Sequence, residues 1–263
     1  METSGGEFCL TERDGHILTV TINRPEVMNA LHPRANAELA GVWDEFAADP
    51  ELWVGIITGA GDRAFSAGND LKHQASGGDM SGMPSSGFAG LTSRFDLDKP
   101  VIAAVNGVAM GGGFEIALAC DIIVASDRAT FALPEPRVGL AALAGGLQRL
   151  PRMIPLKHAM GMILTGRRVD ATEGIQLGFV TAVASHDQLM DEAKRWAAMI
   201  LECSPVSVRA SKQTVMRSLD IVSLEESMKL GQYPAIGDLL RSEDFIEGPA
   251  AFAQKRPPEW KGK

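Results

Sequence analysis

Glu115 and Glu135 have the surroundings that proton transfer at neutral pH requires. Glu115 stands in the run Phe114-Glu115-Ile116-Ala117-Leu118-Ala119, and Glu135 follows Phe131-Ala132-Leu133-Pro134, so both carboxyls have apolar chain neighbours. A carboxylate in such surroundings is costly unless it is paired or put to use. Burial, or a like charge nearby, keeps one carboxyl of a pair protonated while the other ionises, which supplies an acid and a base together. Either glutamate alone is more often structural; the pair carries the reading.

Two glycine-containing segments suit the same chemistry: Ala64-Phe65-Ser66-Ala67-Gly68-Asn69-Asp70-Leu71, and Asn106-Gly107-Val108-Ala109-Met110-Gly111-Gly112-Gly113. Each falls at the carboxyl end of a strand-like run, the edge at which open α/β sheets bind ligands, and glycine lets a backbone N–H approach one closely. A helix starting near Gly113 aims its positive end at developing negative charge. Two converging N–H groups make an oxyanion hole. Nucleotide readings fail: Gly107 and Gly112 have Walker spacing, but Gly113 stands where the lysine belongs, and Ile116 replaces the last glycine of the dinucleotide fingerprint. His16, His32, His73, His158 and His186 have no serine or cysteine partner in a motif, and Ser66 lacks a nucleophile elbow.

Positioning these groups falls to an α/β core. Asp14-Gly15 is a turn dipeptide ahead of the alternating Leu18, Val20 and Ile22, which predicts an opening hairpin. Pro33 starts an amphipathic helix through Leu39, Val42, Trp43 and Phe46 that ends near Asp49-Pro50. Short buried strands follow at Val54 to Thr58, Val101 to Val105 and Ile122 to Ala125, with a helix from Phe114 to Ala119. Strands alternating with helices imply parallel crossovers. Past Gly145, helix-period segments dominate (Ala171 to Leu177, Gln188 to Leu201, Val206 to Leu219, Leu224 onward), broken by a strand at Val180 to Ala184. No linker or repeat divides the chain, so residues 1–200 read as an α/β core and 201–263 as a helical region of the same unit. Gln74 to Thr92, rich in Gly, Ser and Met, reads as a mobile loop over a site. The acidic, polar first seven residues read as a frayed end without signal-peptide character.

Composition excludes whole classes. Hydrophobic residues are 45 % and charged residues 22 % of the 263, which suits a packed core and not a disordered chain. A net charge of −8 with no Lys/Arg block argues against a nucleic-acid partner. No apolar run reaches the roughly 18 residues that a membrane span needs. Cys9, Cys120 and Cys203 lack both disulfide and metal-ligand spacing, so no metal site is predicted and a reducing cytoplasm fits best.

The segments Ala64 to Leu71, Asn106 to Glu115 and Phe131 to Glu135, in that order, resemble the enoyl-CoA hydratase/isomerase (crotonase) family. The likeness runs from Asn23-Arg24-Pro25 and Asn29-Ala30-Leu31 through Asp121-Ile122-Ile123, Gly145-Gly146, Gln148-Arg149-Leu150 and Leu164-Thr165-Gly166 to Glu247-Gly248-Pro249. The stretch from Ser242 to Lys263 resembles the carnitinyl-CoA dehydratase branch in particular.

The resemblance implies a spiral of βαβ units with a helical C-terminal trimerisation region, assembled as a homotrimer or a dimer of trimers. It implies an acyl-CoA substrate, with CoA part of that substrate and no separate cofactor. By the same resemblance the N–H groups of Ala67 and Gly112 form the oxyanion hole, Ala67, Gly68, Asn69, Asp70 and Leu71 line the CoA path, and Phe252 and Lys255 touch CoA, from a neighbouring subunit in some assemblies. Glu115 and Glu135 match the two glutamates of hydratases, Glu115 as base and Glu135 as acid, which implies reversible hydration of a 2-enoyl-CoA. Isomerisation and carnitinyl-type dehydration are the enzymatic alternatives, and an acyl-CoA-binding scaffold is the non-enzymatic one. One departure stands out: Leu143, in Gly139-Leu140-Ala141-Ala142-Leu143-Ala144-Gly145-Gly146, replaces a small residue near the family's water position and is expected to narrow that pocket.

Overall fold

The computed structural model describes residues 2–263. The chain begins with three antiparallel strands, β1 (Glu2–Gly5), β2 (Cys9–Asp14) and β3 (Ile17–Ile22), the last two joined at Asp14-Gly15 as the turn chemistry predicts. The first strand corrects the expectation of a frayed end. Its backbone pairs Thr3 with Glu12 and Ser4 with Thr11 at the edge of the sheet, where a polar strand gives no hydrophobic signal to read. Helix α1 (Pro33–Ala48) starts with proline in its first turn and the His32 ring accepting the Ala35 N–H, and buries Leu39, Trp43 and Phe46. Burial of Leu39 and Phe46 contributes roughly 1.5–3 kcal/mol each.

From there the path repeats. One strand enters a large sheet, the next enters a small one, and helical or loop structure crosses back. β4 (Val54–Gly59) and β5 (Ala64–Ser66) lead to α2 (Leu71–Ala75); β6 (Val101–Val105) and β7 (Val108–Met110) lead to α3 (Gly112–Ala119); β8 (Ile122–Ser126) and β9 (Thr130–Ala132) lead to α4 (Gly146–Met153) and α5 (Leu156–Thr165). β10 (Val169–Asp170), α6 (Ala171–Leu177) and β11 (Ala182–Ala184) close the spiral. The large sheet has the order β1-β2-β3-β4-β6-β8-β11, parallel from β3 onward, and the small sheet the order β10-β9-β7-β5. The crotonase-like spiral inferred from resemblance is thus the observed fold. The small sheet lay hidden in sequence because strands of two or three residues are too short to show a period.

Alternate residues of the large sheet face two cores. Val20, Ile22, Ile57, Ala103 and Val105 pack inward on α1, α3 and the Phe114, Phe131, Phe179 aromatic group. Val54, Ile56, Ile102 and Val124 face Leu189, Ala193 and Ala197 of α7 (Leu189–Leu201). The remaining helices are α8 (Pro205–Ser218), α9 (Leu224–Ser227), α10 (Pro234–Arg241) and α11 (Glu243–Gln254). Lys212 ties α8 to the core by donating to Asp121 and to the Lys99 carbonyl. The last residues fold back, with Asp244 accepting the Lys261 N–H at 2.7 Å and the Ser204 hydroxyl at 2.8 Å.

The Gln74 to Thr92 segment divides in two. Its first half is largely exposed, but Ala89, Gly90, Leu91 and Thr92 are buried against α1, with the Ala89 N–H donated to Asn36 Oδ1 at 2.7 Å. The second half is therefore anchored, which sequence composition alone did not reveal.

Candidate active site

The small sheet exists, in functional terms, to press two glycine turns together. Gly68 has φ of +83°, and a Cβ there would lie 2.6 Å from the Gly112 N and 2.7 Å from the Met110 carbonyl oxygen. A Cβ on Gly113 would overlap the Ser66 carbonyl. Only glycine permits this backbone-to-backbone approach. Two buried side chains hold the turns from behind: Ser66 Oγ donates to the Asn29 carbonyl and accepts the Gly68 N–H, and Asn29 Nδ2 donates to the Ala64 carbonyl at 2.7 Å.

The N–H inventory of these turns corrects one expectation. Ala67 donates to the Met28 carbonyl at 2.9 Å, so it is not free to serve as an oxyanion donor with Gly112. Two residues on, the chain is clamped on both sides of Asn69: Leu31 donates to the Gly68 carbonyl at 2.7 Å and accepts from the Asp70 N–H at 3.0 Å. Among the described residues neither the Asn69 N–H nor the Gly112 N–H has an acceptor. Gly112 opens α3, whose first-turn N–H groups have no partners within the helix. The sequence shows which segment carries the donors but not which N–H the parallel bridge between Leu31 and Asn69 leaves over.

The other residues assigned to the CoA path differ in what they can offer. Asn69 is half-buried with its amide donated to Gln74, and Leu71 is exposed. Asp70 is buried and committed: it caps α2 by accepting the His73 N–H and pairs with Arg24 at 2.9 Å, while Arg24 also reaches the Ala30 carbonyl. The Asp70 carboxyl lies below its usual range despite burial, drawn down by the His73 N–H and the Arg24 guanidinium. This pair was not singled out as such from sequence.

Glu135 faces the glycine junction at Gly111, and Glu115 faces the turn at Gly146. Glu115, in the first turn of α3, is 3 % exposed and its Oε1 accepts the Gly146 N–H at 2.8 Å. Burial pushes its carboxyl up to about 7; the Gly146 N–H opposes that, and Glu135 adds to it. Glu135 opens the one-turn 3-10 helix Glu135–Val138, with Oε1 only 2.8 Å from where a Gly111 Cβ would be. Burial raises its carboxyl too, and its Oε2 is buried without a protein partner. The ring of Phe88 completes the wall, in contact with Gly112.

Other predicted residues lie elsewhere. Phe252 is 86 % exposed on α11, and Lys255 is the exposed residue that caps that helix in the left-handed conformation. Within one chain, α11 packs chiefly on α10. Leu143 is 79 % exposed, so in the single chain its side chain does not fill a pocket beside the glutamates. No group of three or more metal-ligating side chains converges among the described residues, and no helix among them is long and apolar enough to cross a membrane.

Comparison with known proteins agrees with this geometry. Residues 12–263 match the family described as enoyl-CoA hydratase/isomerase. A carnitinyl-CoA dehydratase of Citrobacter koseri is 46 % identical over 258 residues, 95 % of this chain and 97 % of that protein, and one from Escherichia coli K12 is 45 % identical over the same shares. The crystal structure of an enoyl-CoA hydratase from Mycobacterium tuberculosis H37Rv superimposes with a TM-score of 0.91 at 37 % identity, over 98 % of this chain and 100 % of that one.

Proposed function

Because this chain belongs to the enoyl-CoA hydratase/isomerase family, we propose that it adds water reversibly to a 2-enoyl-CoA thioester, giving the 3-hydroxyacyl-CoA. The observation that carries the reading is the pair of carboxyls, Glu115 buried with the Gly146 N–H on one oxygen and Glu135 half-buried with one oxygen unpartnered, together with two uncommitted backbone donors. An enoyl thioester is electrophilic at C3 only as far as charge can move onto its carbonyl oxygen. The N–H groups of Asn69 and Gly112 stabilise that charge most in the transition state. Water attacks C3 and gives its proton to ionised Glu115, and C2 takes a proton from Glu135. Dehydration runs the same steps backwards, and CoA enters only as part of the substrate.

The test is turnover across a panel of enoyl-CoA esters, followed through loss of the conjugated thioester absorbance. Hydration of at least one ester is the predicted result. No loss with any ester, combined with turnover of a 3-enoyl-CoA, replaces the reading with isomerisation. A narrower reading, dehydration of a carnitinyl-type 3-hydroxyacyl-CoA, is favoured by the 46 % identity to a carnitinyl-CoA dehydratase. It predicts preference for an acyl chain bearing a quaternary ammonium group over crotonyl-CoA.

The active form in this reading is a homotrimer or a dimer of trimers. Exposed apolar side chains on the late helices, among them Leu164, Leu219, Leu224 and Ile246, support an assembly that buries them against second copies of the chain. Phe252 and Lys255 then reach CoA bound to a neighbouring subunit. All three cysteines are free, as a reducing cytoplasm leaves them.

A further inference from the structure

Arg149 is a half-buried cation without a counter-ion in contact. It lies in α4, one residue short of a full turn beyond Gly146. Arginines such as Arg24, Arg94 and Arg167 have carboxylate partners, whereas Arg149 forms no ion pair among the described residues. Its guanidinium donates to the Thr92 carbonyl at 2.9 Å, lies over the Phe95 ring 5.6 Å from the centroid, and rests directly against Gly145. Desolvating a charge without pairing it is costly, and such sites are kept where the charge has a task.

The task follows from what these contacts join. Gly145 precedes the residue whose N–H holds Glu115, and Thr92 ends the anchored strap that begins with Phe88, whose ring touches Gly112. A single side chain thus links the turn beneath one catalytic carboxyl to the segment that walls the oxyanion donor. Burial and Glu135 raise the Glu115 carboxyl, and the Gly146 N–H opposes them more than the charge of Arg149 does.

We propose that Arg149 is a positioning residue for Glu115: it fastens the Gly145-Gly146 turn, whose N–H holds the carboxyl, to the Thr92 carbonyl and the Phe95 ring. The inference rests on the hydration reading for the role of Glu115, but not for its contacts. Arginine suits both halves, since its planar fork can donate to a carbonyl and stack on a ring at once, and a lysine can do neither equally well.

The test follows Glu115 directly, by infrared titration of the protonated-carboxyl band assigned through its loss in Glu115→Gln, alongside the pH profile of enoyl-CoA hydration. Arg149→Gln moves the Glu115 titration to higher pH by about half a unit or more, and the acid limb of the rate profile moves with it. Arg149→Lys keeps the charge but loses the fastening, so it moves the titration in the same direction and lowers turnover at least about threefold. A folded Arg149→Gln protein in which Glu115 titrates as in wild type overturns the proposal. Should the glutamine variant not fold, the lysine variant still decides: wild-type turnover together with a wild-type Glu115 titration overturns the proposal. A wild-type protein that hydrates no enoyl-CoA sinks the proposed reaction, while the infrared titration still decides on Arg149.

Discussion

Glu115 and Glu135 are held in opposite ways. Glu115 projects from the first turn of a buried helix, and a fixed N–H from Gly146 is aimed at one of its oxygens. Glu135 follows a proline on a single 3-10 turn, with one oxygen lacking any protein partner. Burial raises both carboxyls, and for Glu135 only its own backbone opposes that rise. An N–H donor stabilises a carboxylate anion, yet burial outweighs it at Glu115, whose carboxyl is carried up to about 7. Similar chain contexts thus give two raised carboxyls held by different means, and the difference lies in what the neighbouring turns supply.

The sharpest way to break this comparison is to remove one titrating group at a time. Glu115→Gln and Glu135→Gln each lower kcat by about 10²-fold or more with acyl-CoA affinity largely kept. Near-normal hydration by Glu135→Gln would replace two-carboxyl chemistry with a single base. A smaller effect, about 10- to 100-fold, is expected for Gly111→Ala, because its φ of +52° strains any side chain and the new methyl meets Glu135 Oε1. Gly146→Ala, whose methyl would meet Glu115 Oε1 at 3.1 Å, is expected to cost less. If the two alanine variants are equally impaired, the carboxyls are not held as differently as described.

Stability gives a third measure. The folded Glu115 carboxyl, at about 7, lies above its ordinary value of 4.5, so the native state binds the extra proton. Its contribution is full below the unfolded value and is lost as pH rises through the folded one. Between pH 4.5 and 7 the wild type should therefore lose about 1–3 kcal/mol that Glu115→Gln does not lose, read from denaturant midpoints at several pH values. The smallest effect belongs to the far end of the chain. Lys255→Ala should weaken acyl-CoA binding about two- to fivefold at low salt and not at high salt, as an exposed cation near phosphate would.

The sequence revealed α1, β4, β6, β8 and both glutamates, because long apolar periods and acids in apolar runs can be read locally. It showed the glycine turns but misassigned the free donor, since the fate of the Ala67 N–H depends on Met28, far away in the chain. The polar edge strand and the two- and three-residue strands of the small sheet escaped for want of a hydrophobic period. Arg149 stands out in the sequence only as part of Gln148-Arg149-Leu150. Its isolation from carboxylates is a property of the folded neighbourhood, and no spacing announces it.

The contact between Gly68 and Gly112 also bears on how such a site can diversify under selection. The proposed donors are main-chain atoms, and at Gly68 and Gly113 there is no room for a side chain. Point mutation cannot readily retune that corner; it can only keep it or destroy it. Inherited variation in substrate preference is thereby pushed outward, to the Phe88 ring, the exposed stretch before it and the loop carrying Leu143. Descendants of one ancestral catalyst would share the corner and differ in that rim.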